Sequence, residues 1–156
     1  FDPAQRRLSD PKWSAGVEAE NAFSDGFPLL VASTASLAEL NARLAARGQP
    51  PVTLERFRPN LVLDGLEDAH GEDFIDTLEL EGGVRLKLVK PCVRCSIPNV
   101  DPATAERGHE PGDTLAGYRA DPRMKGRVTF AMNAVIEAGV GQVLRVGGGV
   151  EASLAV

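Results

Sequence analysis

The sequence predicts a mainly β domain with a few helices, an α+β chain, and three observations predict it. Short apolar runs alternate with polar residues through most of the middle of the chain; glycine pairs punctuate those runs at hairpin positions; and helical periodicity is confined to one stretch near the start. Size agrees, because 156 residues is one ordinary domain and 43% apolar residues suffice to fill one core.

Taken in order, residues 1–22 carry Asp2-Pro3 and Asp10-Pro11 among Arg6, Arg7 and Lys12 with little apolar periodicity. An extended arm rather than a packed element is expected there, the tail of something larger, and the domain proper then runs over 23–156. Pro28 to Ala32 reads as a strand. Ser33 to Ala45 places Leu37, Leu40 and Leu44 on one helical stripe, and Ser36 with Glu39 has capping-box spacing, so the helix starts there or one turn earlier at Ser33. Gly48 and Pro50-Pro51 end it.

The period then changes from 3.6 to alternation. Asn60 to Leu63, Thr77 to Glu81 and Val84 to Val89 are strand-like, the last two forming a hairpin across a two-residue Gly82-Gly83 turn. Further strands are expected at Val128 to Ile136, Gln142 to Val146 and Gly149 to Leu154. The polar connection from Asp101 to Lys125 holds one short helix around Thr114 to Arg119, and a connection of that length in a compact domain points to function.

Charge and composition exclude several classes of function. Seventeen basic against twenty-two acidic residues give a net charge of −5, with no basic stripe and no interleaved aromatics, so nucleic acid is not the expected partner. No apolar run approaches the length that crosses a bilayer, so neither is a membrane. Two cysteines cannot build a disulfide framework, which favours a reducing compartment, the cytoplasm.

Both cysteines fall in Lys90-Pro91-Cys92-Val93-Arg94-Cys95-Ser96-Ile97-Pro98-Asn99-Val100-Asp101-Pro102. Only a thiolate binds a soft metal or attacks an electrophile, and Lys90 and Arg94 favour it if their side chains turn toward the sulfur. Four uses are open. Structural zinc needs a second ligand pair, and the chain offers only His70 and His109, which are not in paired spacing. A thioredoxin-like dithiol fits the Cys-x-x-Cys spacing, but that motif normally opens a helix, and Pro98 and the β-rich surroundings oppose it. A cysteine nucleophile wants a histidine base. The plain alternative is two reduced thiols packed at a strand end.

Five blocks, in order, bear on that choice: Phe57-Arg58-Pro59-Asn60-Leu61-Val62; Cys92-Val93-Arg94-Cys95 with Val100-Asp101-Pro102; Thr114-Leu115-Ala116-Gly117-Tyr118-Arg119; Phe130-Ala131-Met132-Asn133; and Leu144-Arg145-Val146-Gly147. Together with Phe23 to Leu30 and Ser33 to Leu40 upstream, they resemble the MOSC domain, the module named for the molybdenum cofactor sulfurase C-terminus. Ser96-Ile97-Pro98-Asn99 is most similar to the YcbX-like branch, relatives of the mitochondrial amidoxime-reducing component.

The resemblance implies a MOSC-type β-barrel that binds the molybdenum cofactor (molybdopterin), with Cys95 as the metal ligand and Cys92 as its neighbour. It implies reduction of small N-hydroxylated compounds, with an electron donor that is a flavoprotein reductase or a ferredoxin-type iron–sulfur domain. A carrier module that delivers the cofactor or a cysteine-bound sulfur to another enzyme is the competing reading. Among cofactor contacts, Arg58 offers a planar donor fork to a phosphate or pterin carbonyl, and Asn60 can donate and accept at a pterin edge. Arg94 is a further cationic contact. Asp25 and Gly26 would let backbone amides approach the cofactor. Asp101 either orients the cysteine loop through backbone amides or acts near substrate as an acid. Arg119 and Asn133 sit in matched blocks as supporting residues, Asn133 as a cofactor contact. Relatives of this branch also carry an N-terminal β-rich domain, so the chain is expected to be a fragment of a longer parent. The chain departs from the family pattern at Ala131, where glycine is usual, and at Gly148, where aspartate is usual.

Overall fold

The computed structural model describes residues 6–21, 24 and 26–155. In chain order the elements are β1 (Leu29–Ser33), α1 (Thr34–Ala46), β2 (Leu61–Leu63), β3 (Ile75–Leu80), β4 (Val84–Val93), α2 (Gly112–Ala116), β5 (Ala120–Asp121), β6 (Arg127–Ala138) and β7 (Val150–Leu154), with short 3-10 turns between several of them. The strands hydrogen-bond in the order β2-β1-β6-β4-β3-β7, with β5 against β6, in one seven-stranded sheet. The expected class, mainly β with a few helices, is the class observed. By their contacts the residues gather into two units, one of Phe1–Leu30, Phe74–Lys90 and Met132–Val156, the other of Val31–Asp73 and Pro91–Ala131.

In the first unit, β3 and β4 form the expected antiparallel hairpin with Leu80 opposite Val84. Its turn is one residue longer than expected, Glu81-Gly82-Gly83, and both glycines take positive φ, 73° and 74°. No L-residue adopts that pair of conformations cheaply, which is why two glycines stand together here. β7 pairs antiparallel with the other edge of β3. Residues 6–21 are not the extended arm the composition suggested. Leu8 bridges Glu20, the Ser9 amide donates to the Ala19 carbonyl, and Asn21, 2% exposed, donates from Nδ2 to Ser9 Oγ and the Gly26 carbonyl. Ala19 joins Phe27 and Val135 in a small core flanked by Trp13, Val17 and Val89, so sparse apolar residues still anchor the segment.

The strand expected at Gln142 to Val146 does not form. Val143 and Val146 are exposed, and this stretch instead closes turns, Gln142 N–H to Gly139 O and Gly148 N–H to Arg145 O. Flanking glycines at positions 139, 141 and 147, all at positive φ, break the extended backbone that its apolar residues alone would favour.

In the second unit, β1 runs parallel to β2, with Val31 opposite Leu61, and α1 makes the crossover. Ser33 is the N-cap: its Oγ accepts from the Ser36 amide at 3.1 Å, so the earlier of the two expected starts is the real one. Leu40 and Leu44 are fully buried on the inner face, while Glu39 pairs with Arg43 one turn on. The same cap holds a buried carboxylate. Glu72, 0% exposed, accepts from Ser33 Oγ at 2.8 Å and from Ser36 Oγ at 2.6 Å, and it sits at the positive end of the α1 dipole.

Ala131 lies in β6 with φ of 69° and no exposed surface. A positive φ inside a strand suits glycine; here a methyl group occupies the position at a backbone cost of about 1–2 kcal/mol. The expected helix at Thr114 to Arg119 begins two residues earlier, at Gly112, because the Asn99 Oδ1 accepts from the Gly112 amide at 2.8 Å.

Candidate functional site

The site is built on the end of β4 and the turn that precedes β2, both in the second unit. β4 extends beyond the expected Val89 to Val93, so Cys92 is its penultimate residue and Cys95 lies two residues past its end. The Arg94 amide donates to the Val128 carbonyl at 2.9 Å, which carries the chain in register just beyond the strand. A 3-10 turn over Ile97–Asn99 then directs it away, with Pro98 buried at the turn. Both thiols are free; Cys92 is half-buried and Cys95 exposed.

Of the two cations expected to face sulfur, one does. Arg94 Nη1 donates to Cys92 Sγ at 3.0 Å, whereas the Lys90 ammonium lies over the rings of Trp13 and Phe27 at 5.4 and 5.5 Å. The second Arg94 fork nitrogen donates to the Phe57 carbonyl at 3.2 Å, its guanidinium sits 5.4 Å over the Phe57 ring, and its Nε is buried with no protein acceptor.

Arg58 follows a single 3-10 turn, Leu54–Arg56, and stops it in the left-handed conformation, φ 58°, its amide shared between the Leu54 and Glu55 carbonyls at 3.2 Å each. Glycine is the residue that normally takes this capping position without strain. An arginine held there is exposed, and the carbonyl of the residue before it accepts from Arg94 of the cysteine segment. Asn60 is also exposed, at the entrance to β2.

Asp101 has both carboxylate oxygens engaged. Oδ1 accepts from the Ala103 and Thr104 amides at 2.8 and 3.3 Å, an Asx turn, and Oδ2 pairs with Arg56 Nη2 at 2.8 Å. Arg119 donates to Asp73 Oδ2 at 2.6 Å and to the Thr129 carbonyl at 3.2 Å, where it ties β6 to the chain leaving α2. In the first unit, Asn133 Nδ2 donates to the Lys90 carbonyl at 3.3 Å. Gly26 uses its carbonyl for Asn21, and a Cβ there would meet open space. Asp25 lies outside the described residues.

The structure therefore brings Cys92 and Arg94 to the Phe57 carbonyl, in the peptide that precedes Arg58, and joins Asp101 to Arg56 of the same turn. Arg56, Phe57 and Asn99 are the residues that sequence reasoning missed. Arg56 and Asp101 are forty-five positions apart, and no local spacing signals such a pair.

The donor set constrains what can bind. Among the described residues no group of three His, Cys, Asp or Glu side chains converges to cage a bare ion. An exposed soft thiol, in the same unit as the Arg58 and Arg94 guanidinium groups, suits a metal that brings most of its own ligands and carries anionic groups of its own. The residues present thus fit a dithiolene-bound molybdenum with a phosphate-bearing pterin.

A second buried cluster lies in the same unit. His70, 8% exposed, takes φ of 61°, stands edge-on to Phe130 at 5.9 Å and lies 5.6 Å from Tyr118, with neither ring nitrogen paired to protein. Burial first, then the positive charges of Arg119 and Arg43, pushes its pKa from 6.5 down to about 4; burial pushes Tyr118 up to about 12. The unfolded chain binds a proton at His70 that the folded chain refuses between these values. Stability from this group is thus complete above about pH 6.5 and is lost as pH falls toward 4, by on the order of 3 kcal/mol. His70→Phe keeps the ring contacts and removes the titration. Denaturation midpoints followed from pH 7 to 4 are expected to fall less steeply in the variant; parallel curves would refute the assignment.

A protein-family model, the MOSC domain, matches residues 18–151. Human mitochondrial amidoxime-reducing component 1 is 46% identical over 103 residues, covering 65% of this chain and 29% of that protein, and the mouse protein of the same name is 40% identical over 126 residues, covering 78% and 35%. Molybdenum cofactor sulfurase of Arabidopsis thaliana is 33% identical over 132 residues, 80% of this chain and 16% of that protein. The chain thus spans roughly a third or less of the length of these curated relatives. With the family model covering most of its length, the chain belongs to the MOSC domain family.

Proposed function

We propose that this chain is the molybdenum cofactor-binding domain of an oxidoreductase that reduces N-hydroxylated compounds, with Cys95 as the protein ligand to molybdenum. The observation that carries the reading is the exposed Cys95 thiol just past the end of β4, in the same unit as the strained, exposed Arg58. Likeness to the amidoxime-reducing components supports the choice of substrate class.

In this reading Cys95 supplies the soft thiolate, and exposure leaves it room to take a large group without displacing core side chains. Arg58 binds anionic oxygen on the pterin or its phosphate through parallel N–H donors, and Asn60 completes the polar contacts. Asp101, with both oxygens already used, orients the cysteine loop. The bound cofactor supplies two-electron oxygen-atom chemistry. Reduction of an N–OH group to N–H and water consumes two electrons and two protons. With only two cysteines in the chain, the electrons come from outside, from a flavoprotein reductase or a ferredoxin-type iron–sulfur domain. Two free thiols suit the reducing cytoplasm.

The 33% identity to a cofactor sulfurase favours a second reading, a module that carries the cofactor or a cysteine-bound sulfur to another enzyme. Metal and pterin analysis of the full-length parent from a cofactor-producing host, followed by assay with a benzamidoxime and a chemical reductant, separates them. Stoichiometric molybdenum with amidine formation supports the reductase, molybdenum without turnover supports a cofactor carrier, and absence of molybdenum sinks both of these and leaves only carriage of a cysteine-bound sulfur.

A further inference from the structure

Two arginines join the two segments that carry the candidate site, and they do so reciprocally. Arg56 belongs to the turn before Arg58 and reaches into the cysteine loop, where Nη1 donates to the Pro98 carbonyl at 3.2 Å and Nη2 to Asp101 Oδ2 at 2.8 Å. Arg94 belongs to the cysteine segment and reaches back, donating to the Phe57 carbonyl at 3.2 Å. That carbonyl belongs to the peptide that leads directly into Arg58. Cys92 holds the other arm of Arg94 through Sγ at 3.0 Å, and the Phe57 ring lies beneath the guanidinium.

We propose that Arg56 and Arg94, with Cys92 as the anchor of Arg94, are positioning residues that set the location of Arg58 relative to Cys95 and so hold the cofactor site in its binding geometry. The proposal rests on the reading that Cys95 and Arg58 bind the molybdenum cofactor.

The geometry requires arginine. Each guanidinium serves two acceptors at once from a planar fork, one of them a backbone carbonyl of the opposite segment. A lysine ammonium keeps the charge but offers no such fork, so one link in each pair is lost. Arg58 has its backbone in a left-handed conformation that the chain would otherwise leave, and the hydrogen bond on the preceding carbonyl opposes that relaxation. Arg56 is only 16% exposed at its side chain and its bonds to Pro98 and Asp101 span the turn that follows Cys95, so it limits where that turn can sit. This also gives Cys92 a use distinct from that of Cys95.

The test compares Arg56→Lys and Arg94→Lys in the full-length parent, purified with cofactor, against wild type, Cys95→Ser and Arg123→Lys. Arg123 pairs with Asp121 and serves as a control for the same chemical change elsewhere in the unit. Three readouts are taken: the rate at which molybdenum is lost on dilution, the paramagnetic resonance signature of the reduced metal, and amide hydrogen exchange of the metal-free protein. Arg94→Lys is expected to speed exchange at 58–61 and Arg56→Lys at 98–101, with α1 unchanged. Both are expected to lose molybdenum about 10- to 100-fold faster and to shift the resonance signature, while thermal midpoints stay near wild type and Arg123→Lys behaves as wild type. If both lysine variants hold molybdenum as wild type does, or lose it only in proportion to a loss of folded protein, the positioning role is overturned and the cofactor reading stands. A wild type without molybdenum, or a Cys95→Ser protein that retains it, overturns the cofactor reading and this role with it.

Discussion

Cys95→Ser is expected to leave the parent protein folded and at least about tenfold depleted in molybdenum, whereas Cys92→Ser retains most of the metal. The two thiols differ in surroundings more than in sequence. Cys95 is exposed, so exchanging sulfur for oxygen removes little packing and stability changes by no more than about 0.5 kcal/mol. What it removes is the soft sulfur donor: a serine hydroxyl is a hard, poor ligand for a metal that prefers thiolate. Cys92 already accepts a hydrogen bond from Arg94, and serine can accept in its place, so that variant keeps the link in weaker form. Metal analysis of the two variants beside wild type checks the ordering; equal molybdenum in wild type and Cys95→Ser would exclude Cys95 as ligand.

The largest expected loss of stability comes from Phe57→Ala. Phe57 is 1% exposed and stacks on the fully buried Phe130, ring centroids 4.1 Å apart at 24°, and the Arg94 guanidinium covers its ring. Truncation removes the buried ring, the stack and the cation contact and leaves a cavity that β6 cannot collapse into, at a cost of about 3–5 kcal/mol. Phe57→Leu fills most of that volume and costs less, about 1.5 kcal/mol. Denaturant midpoints with unchanged slopes would measure both values. A Phe57→Ala loss below about 1 kcal/mol would show that the ring does not hold the turn before Arg58.

Elements whose cause is local were legible. The Ser33 cap, the Leu40 and Leu44 stripe and the Gly82-Gly83 hairpin each follow from residues within a few positions of one another, and each forms with small shifts in its ends. Gln142 to Val146 misled because alternation signals a strand only where a partner edge is available, and its apolar side chains remain exposed among glycine turns. Residues 6–21 misled in the opposite sense. Their order comes from a buried asparagine and backbone bonds across the segment, which leave no periodic trace.

By itself the sequence determined the secondary-structure class, the position of the one long helix, and the resemblance carried by Cys92-Val93-Arg94-Cys95 and Arg58-Pro59-Asn60, because these rest on short-range spacing and residue chemistry. Only the tertiary structure decided that Arg94 serves Cys92 and Phe57, that Lys90 turns to Trp13 and Phe27, and that Arg56 reaches Asp101. Those choices depend on which distant segments packing brings within the few ångströms over which a hydrogen bond acts, and a linear pattern carries no record of that distance.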